Sequence, residues 1–177
     1  MEIKIEDLKV LFSEEQLQSR IKELASDMNK FYNGEEVVAV CVLKGAVMFA
    51  IDLVKHLDMP LQMEFIRLSS YGSSTTTSGK VNAVDIKLPD LNGKNVLIIE
   101  DIVDTGLTAK FLLDFMHCNF NAKSIKFCSL LDKKVTRKVD VEPDYYGFEV
   151  DDKFVVGYGL DYDGYYRNLR YIGYKEV

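Results

Sequence analysis

Histidine occurs only twice in the 177 residues, as His56 and His117, and cysteine only three times. His56 falls in a predicted helix and His117 at the end of another, so neither is placed for acid–base catalysis. Cys41, Cys118 and Cys128 are odd in number and widely spaced, with no pair at zinc-ligand or disulfide-framework spacing. All three are expected to be buried, reduced thiols. No apolar run approaches the roughly 20 residues needed to cross a bilayer. The opening MEIKIEDLKVLFSEEQ scatters charges through its length, unlike a secretory or transit sequence, and a cytoplasmic protein is expected. A formal net charge of -6 speaks against a general nucleic-acid or anionic-membrane surface, so neither partner is expected. Any phosphate site must be built locally.

What is present suffices for one packed domain: 47% of the residues are hydrophobic. Leu17, Ile21, Leu24, Met28 and Tyr32 recur at helical spacing behind a capping box at Ser13 and ahead of Gly34, which predicts an amphipathic helix over 14–32. EVVAVCVL is a continuous apolar run suited to a strand covered on both faces. After LKGA, Val47, Ala50, Ile51 and Val54 form a second helical stripe, and Pro60 opens the strand LQMEFIRL. SSYGSSTTTSGK, residues 69 to 80, holds eight Ser or Thr and no aliphatic residue, so a mobile loop of the lid type is expected. VNAVDIKL, a turn at Asn92-Gly93 and the strand NVLIIED follow. Ala109, Leu112, Leu113 and Met116 mark a third helix, SIKFCSLLDKK a further strand, and the aromatic-rich tail short strands and turns. Alternating strands and helices over 36–131 predict an α/β fold with a largely parallel, doubly wound sheet. Ligands of such sheets sit beyond the carboxyl ends of the strands, which puts LKGA, EDIVDTGLT and LDKK at one edge.

The oily strand NVLIIE ends in Glu100 and Asp101, with Asp104 three residues on. Strand alternation predicts that Glu100 and Asp101 diverge, placing them to flank a polyhydroxylated ligand or to hold a metal through its waters. The next residues, DTGLT, turn into a helix whose free N–H groups favour an anion. Carboxylates suited to hydroxyls and Mg2+ thus lie beside an amide cradle suited to phosphate, and a sugar phosphate satisfies both.

The string VLIIEDIVDTGLT resembles the phosphoribosyl-pyrophosphate signature of the type I phosphoribosyltransferases. LKGA resembles that family's pyrophosphate loop, SSYGSSTTTSG its catalytic lid, and SLLDKK with DKFVVGYGLDYDGYYRNL the 6-oxopurine site of the hypoxanthine-guanine phosphoribosyltransferases. The matches come in the family's order over about 36–174. The resemblance implies one phosphoribosyltransferase domain over 1–177, with a core of about 36–155 and a small hood built from the chain ends.

By the same resemblance, Glu100 and Asp101 face the ribose, and Asp104, Thr105, Gly106, Leu107 and Thr108 hold the 5′-phosphate. Leu107 stands where some members carry lysine, with little effect expected because backbone amides do most of the gripping. Lys44, following a cis peptide after Leu43, joins Gly45 and Arg167 in binding pyrophosphate. Lys133 donates to the purine 6-carbonyl, while Lys134 and Arg137 are peripheral. Phe154 stacks on the base, the Val155 backbone reads its edge, and Asp161 lies on the purine side and contacts a second Mg2+ through the pyrophosphate side. Asp163 has no counterpart. Ser70 and Tyr71 belong to the lid, Asp104 is the catalytic base, and Glu100, Asp101 and Asp161 are the metal-side acids.

The implied reaction moves ribose 5-phosphate from phosphoribosyl pyrophosphate to N9 of hypoxanthine or guanine, with Mg2+ as cofactor and a homodimer or homotetramer as the working assembly. Two other readings fit less of the sequence. A regulatory relative that binds RNA needs a basic face, which the acidic balance disfavours. A phosphoacceptor receiver domain also gathers acids at strand ends, but accounts for neither DTGLT nor the Ser/Thr-rich loop.

Overall fold

The structure, a computed structural model, describes residues 5–70 and 81–175, with the backbone alone for 69–70 and 81–85. Tyr71 and the rest of the predicted lid to Lys80 lie outside the described residues, as does the side chain of Ser70. After β1 (Lys9–Phe12) comes α1 (Glu14–Tyr32), capped as its sequence predicts: the Ser13 hydroxyl accepts from the Gln16 N–H and the Gln16 side chain accepts from the Ser13 N–H. Asn33, in the left-handed conformation at φ 47°, ends it one residue before Gly34.

The chain continues through β2 (Val37–Leu43), α2 (Val47–Val54), β3 (Leu61–Ser70), β4 (Val81–Asp85), β5 (Asn95–Val103), α3 (Leu107–Asn119), β6 (Ser124–Asp132), β7 (Tyr145–Glu149), β8 (Val155–Val156) and β9 (Ile172–Tyr174). Six strands form one sheet in the order β4-β3-β2-β5-β6-β7, parallel except for the antiparallel edge strand β4. A second antiparallel sheet, β1-β9-β8, draws its strands from the two ends of the chain and forms the predicted hood.

Strand alternation sorts the core into two layers. Val37, Ala39 and Cys41 of β2 and Leu97 and Ile99 of β5 pack under α1 and α2. Val38, Val40, Val42, Val96 and Ile98 face the opposite way, against Leu112 and Met116 of α3. The sheet is therefore doubly wound, and β2 and β5 are its neighbours at the point where strand order reverses. That places Leu43-Lys44-Gly45 and the acidic end of β5 side by side at the crevice where such sheets bind ligands.

Three expectations need correction. Cys118 is exposed near the end of α3, while Cys41 and Cys128 are buried; α3 covers the sheet with one face only. His56 follows α2 in a turn and is not part of the helix. The buried stripe of α2 is Phe49, Ala50 and Leu53, whereas Ile51 is 37% exposed. In an eight-residue helix of nearly all apolar side chains, sequence spacing cannot choose the face, and docking of Phe49 into the layer beneath α1 decides it. Phe49→Ala should destabilise the protein by about 3–5 kcal/mol and Ile51→Ala by about 0.5 kcal/mol or less, measured by urea unfolding; similar losses would show that the stripe is misassigned.

Candidate active site

Strand β2 ends at Leu43, and the Leu43–Lys44 peptide is cis, as expected. Gly45 is required at the next position, because a Cβ there would fall inside the Asp101 carboxylate. Gly159, at φ +101°, closes the other side: a Cβ on it would collide with the Gly45 carbonyl oxygen. Backbone from β2's end and from the C-terminal segment thus meets at Gly45 with no room for a side chain.

Strand β5 continues two residues past NVLIIED, and its alternation slips there. Ile99 and Ile102 both pack into the layer under α1 and α2, and the Ile102 N–H bonds the Asp101 carboxylate at 2.8 Å. Glu100 and Asp101 consequently do not diverge. They line one cavity of about 230 Å³ together with Ile102, Asp104, Thr105, Gly106, Thr108 and Ala109. Glu100 is only 7% exposed, and its Oε2 is buried without a hydrogen-bond partner. Burial first, and the adjacent Asp101 carboxylate second, hold the Glu100 carboxyl well above the usual carboxylate range. Burial also raises the Asp101 pKa, opposed by its hydrogen bonds and by the charge of Arg167. Beneath them, burial and these two acids push the Cys41 thiol up to about 12, so it is an inert core residue.

Beyond β5, Gly106 at φ +83° caps α3 with no side chain of its own; the Leu107 N–H donates to the Thr105 hydroxyl at 3.4 Å, and the N–H groups of Thr108 and Ala109, both lining the cavity, are the first-turn donors left for an anion. Leu107 lies in the first turn but is not part of the cavity lining. Asp104 is exposed, and one carboxylate oxygen accepts the Thr136 hydroxyl.

Lys133 is buried to 8% exposure, with its N–H on the Val103 carbonyl at 2.9 Å and its ammonium 2.8 Å from the Asp152 carboxylate. Phe154 is 51% exposed with its ring edge-on to Tyr162 at 5.8 Å, and Val155 is buried in β8. Arg167 pairs with Asp161 at 2.7 Å and donates to the Gly159 carbonyl at 2.5 Å. The Lys44 side chain is exposed at the crevice rim.

Residues 10–163 match the model of the phosphoribosyl transferase domain family. The chain belongs to the phosphoribosyltransferase family. It is 49% identical over 165 residues to a hypoxanthine-guanine phosphoribosyltransferase of Bacillus subtilis, covering 93% of this chain and 91% of the relative. Similarity to the hypoxanthine-guanine phosphoribosyltransferase of Aquifex aeolicus is 46% over 169 residues, 95% of this chain and 94% of that one. Among solved structures, a hypoxanthine phosphoribosyltransferase from Staphylococcus aureus superposes with a TM-score of 0.91 at 42% identity, covering 97% of this chain and 93% of its own. A hypoxanthine-guanine phosphoribosyltransferase from Bacillus anthracis, with a HEPES molecule in its active site, gives 0.89 at 45%, covering 99% and 100%.

In this phosphoribosyltransferase, sequence reasoning overlooked what braces the 104–108 loop. Arg137 is not peripheral. Its guanidinium pairs with Asp132, itself 1% exposed, and donates to the Asp104 carbonyl at 3.2 Å and the Val141 carbonyl. It lies so close over the loop that a Cβ on Gly106 would come within 2.7 Å of the Arg137 side chain. The charge run DKKVTRK looks like a solvated face, and only the acid buried at its start, Asp132, hinted otherwise.

The buried Glu100 charge has a thermodynamic consequence. A folded-state pKa raised above the ordinary value near 4.3 means that folded protein holds this proton more tightly than unfolded protein does. Its stability contribution is full below that value and is lost as pH rises through the raised pKa. Without ligand, Glu100→Gln should therefore raise Tm at pH 7 by about 3 °C or more and flatten the fall in Tm with rising pH. An unchanged or lower Tm at pH 7 would show that the Glu100 charge is not destabilising.

Proposed function

We propose that this protein transfers ribose 5-phosphate from phosphoribosyl pyrophosphate to N9 of hypoxanthine or guanine, releasing pyrophosphate and forming the nucleoside monophosphate. The observation that carries this reading is the cavity that Glu100 and Asp101 share with the first turn of α3. One end of that cavity suits the hydroxyls of a ribose and the other a 5′-phosphate. Asp104 through Thr108 would hold the phosphate, Lys44, Gly45 and Arg167 the pyrophosphate, and Lys133, Phe154, Val155 and Asp161 the base side.

The acid cluster fits a Mg2+ ion. Its donors are carboxylate oxygens, and Glu100 Oε2 is buried with its hydrogen-bonding capacity unused. Among the described residues no three His, Cys, Asp or Glu side chains gather as a metal cluster, which suits an ion held by one or two carboxylates with phosphate oxygens and water completing its shell. Glu100 and Asp101 would hold it, and Asp161 would contact a second Mg2+ on the pyrophosphate side. When bound, Mg2+ offsets the charge of the departing pyrophosphate.

The chain's own residues supply the rest. Positive charge develops on the ribose as the glycosidic bond breaks, and the acids beneath it stabilise that charge electrostatically. Asp104, oriented by the Thr136 hydroxyl, accepts the purine proton near N7. Ser70 and Tyr71 close over the site and keep water from the activated sugar. A single phosphoribosyltransferase domain, a cytoplasmic setting and a homodimeric or homotetrameric assembly complete this reading. No described helix is long and apolar enough to cross a membrane, and the exposed apolar side chains of Met48, Ile51 and Phe65 support an assembly.

Two experiments test the assignments. Asp104→Ala should lower turnover by about 10²–10⁴ with little change in thermal unfolding; wild-type turnover would remove Asp104 from the chemistry. Steady-state assays with hypoxanthine, guanine, xanthine and adenine test the substrate class. The Lys133 ammonium has only donors to offer, so it satisfies a 6-carbonyl and meets a donor in adenine, which should be disfavoured by about 10⁴-fold. Lys133→Gln should narrow that gap. Equal use of adenine and hypoxanthine by the wild-type protein would overturn the 6-oxopurine reading.

A further inference from the structure

Helix α2 begins two residues after Gly45, and its Asp52 faces away from the reacting centre. The Asp52 carboxylate accepts the Tyr158 hydroxyl at 2.5 Å, the Gln18 amide at 2.9 Å and the Lys55 ammonium at 3.0 Å. Burial works against its charge, yet these bonds hold its carboxyl below the usual range, so an ionised acceptor meets the phenol.

Tyr158 is 6% exposed and adopts φ +51°. Its N–H donates to the Leu169 carbonyl and the next N–H, of Gly159, to the Arg167 carbonyl, both at 2.9 Å. Arg167 returns a bond to the Gly159 carbonyl, whose α-carbon abuts the Gly45 oxygen. A cavity of about 170 Å³ on the far side is bounded by Gln18, Asp52, Tyr158 and Arg167 among others.

The Lys44–Gly45 loop is therefore flanked by two elements, α2 following it and the 157–159 turn pressing on it. The Asp52–Tyr158 bond ties these flanks together behind the site. We propose that Asp52 and Tyr158 form a positioning clasp that fixes the Lys44–Gly45 loop against Arg167 and so sets the affinity for the pyrophosphate group; this rests on the function proposed above. Neither residue lines the cavity of Glu100 and Asp101. The base side is held separately, since Val155 and Val156 pair with Tyr174 and Gly173 of β9 and Lys133 is anchored to β5 through Val103.

Kinetics with phosphoribosyl pyrophosphate and hypoxanthine varied separately test the clasp. Tyr158→Phe, which deletes only the hydroxyl, should raise KM for phosphoribosyl pyrophosphate about tenfold, equivalent to about 1.4 kcal/mol, and leave KM for hypoxanthine within about twofold. Asp52→Leu should do the same. Asp52→Asn retains an acceptor for the phenol and should stay near wild type. The Tyr158→Phe/Asp52→Leu double variant should raise that KM no further than Asp52→Leu alone, because the Asp52–Tyr158 bond is already lost in each single variant. An unchanged KM for phosphoribosyl pyrophosphate in Tyr158→Phe, equal rises in both KM values, or additive losses in the double variant would overturn the clasp. Calorimetric titration with magnesium pyrophosphate separates the two readings. A wild-type protein that transfers no ribose phosphate overturns the function, whereas pyrophosphate binding equal in wild type and Tyr158→Phe overturns the clasp alone.

Discussion

A buried carboxyl group beside a second, half-buried one at the end of a central strand sets the terms for everything around them. Ionised carboxylates are costly to bury unless paired, and Glu100 keeps one oxygen with no partner. The surrounding chain tolerates this by giving up side chains: Gly45 makes room for Asp101, and Gly159 makes room for Gly45. Arg167 supplies the compensating charge at Asp101 from across the crevice. A local conflict of this kind, inside a sheet whose other residues pack without difficulty, is what a functional site looks like in energetic terms.

The start of α3 is organised on the opposite principle. There the groups left open are N–H donors beyond Leu107, whose own N–H bonds the Thr105 hydroxyl, and the loop before them is braced from above. Arg137 spans Asp132, the Asp104 carbonyl and the Val141 carbonyl, and Thr136 fixes the Asp104 side chain. A cradle built from backbone needs its backbone immobilised, because amides hold an anion well only if they are already oriented. The side chains that do this come from the segment after β6, more than 25 residues away in sequence.

Much of this was legible before any coordinates. The Ser13 capping box, the alternation of strands with helices, and the continuous apolar runs of β2 and β5 are local signals, and local physics decided them. The acids, DTGLT and the Lys44–Gly45 pair could be placed at one edge because parallel strands put their carboxyl ends together. Where local signals were degenerate, reading failed. An almost uniformly apolar α2 has no preferred face in isolation, and Cys118 carries no mark of exposure in its own neighbourhood.

The sequence by itself determined the alternation of elements over 36–131 and the sheet class, because each follows from short-range spacing, and its contiguous motifs nominated the candidate site residues. Tertiary structure decided three things. The slip in β5 brought Glu100 and Asp101 to one shared cavity, where strict alternation would have separated them. Packing of the 137–141 segment over Gly106 made Arg137 a brace for the 104–108 loop. The bond between Asp52 and Tyr158 linked α2 to the C-terminal turn. Each depends on contact between segments distant in the chain, and the free energy of such contacts comes from burial and excluded water, which no single stretch of sequence possesses alone.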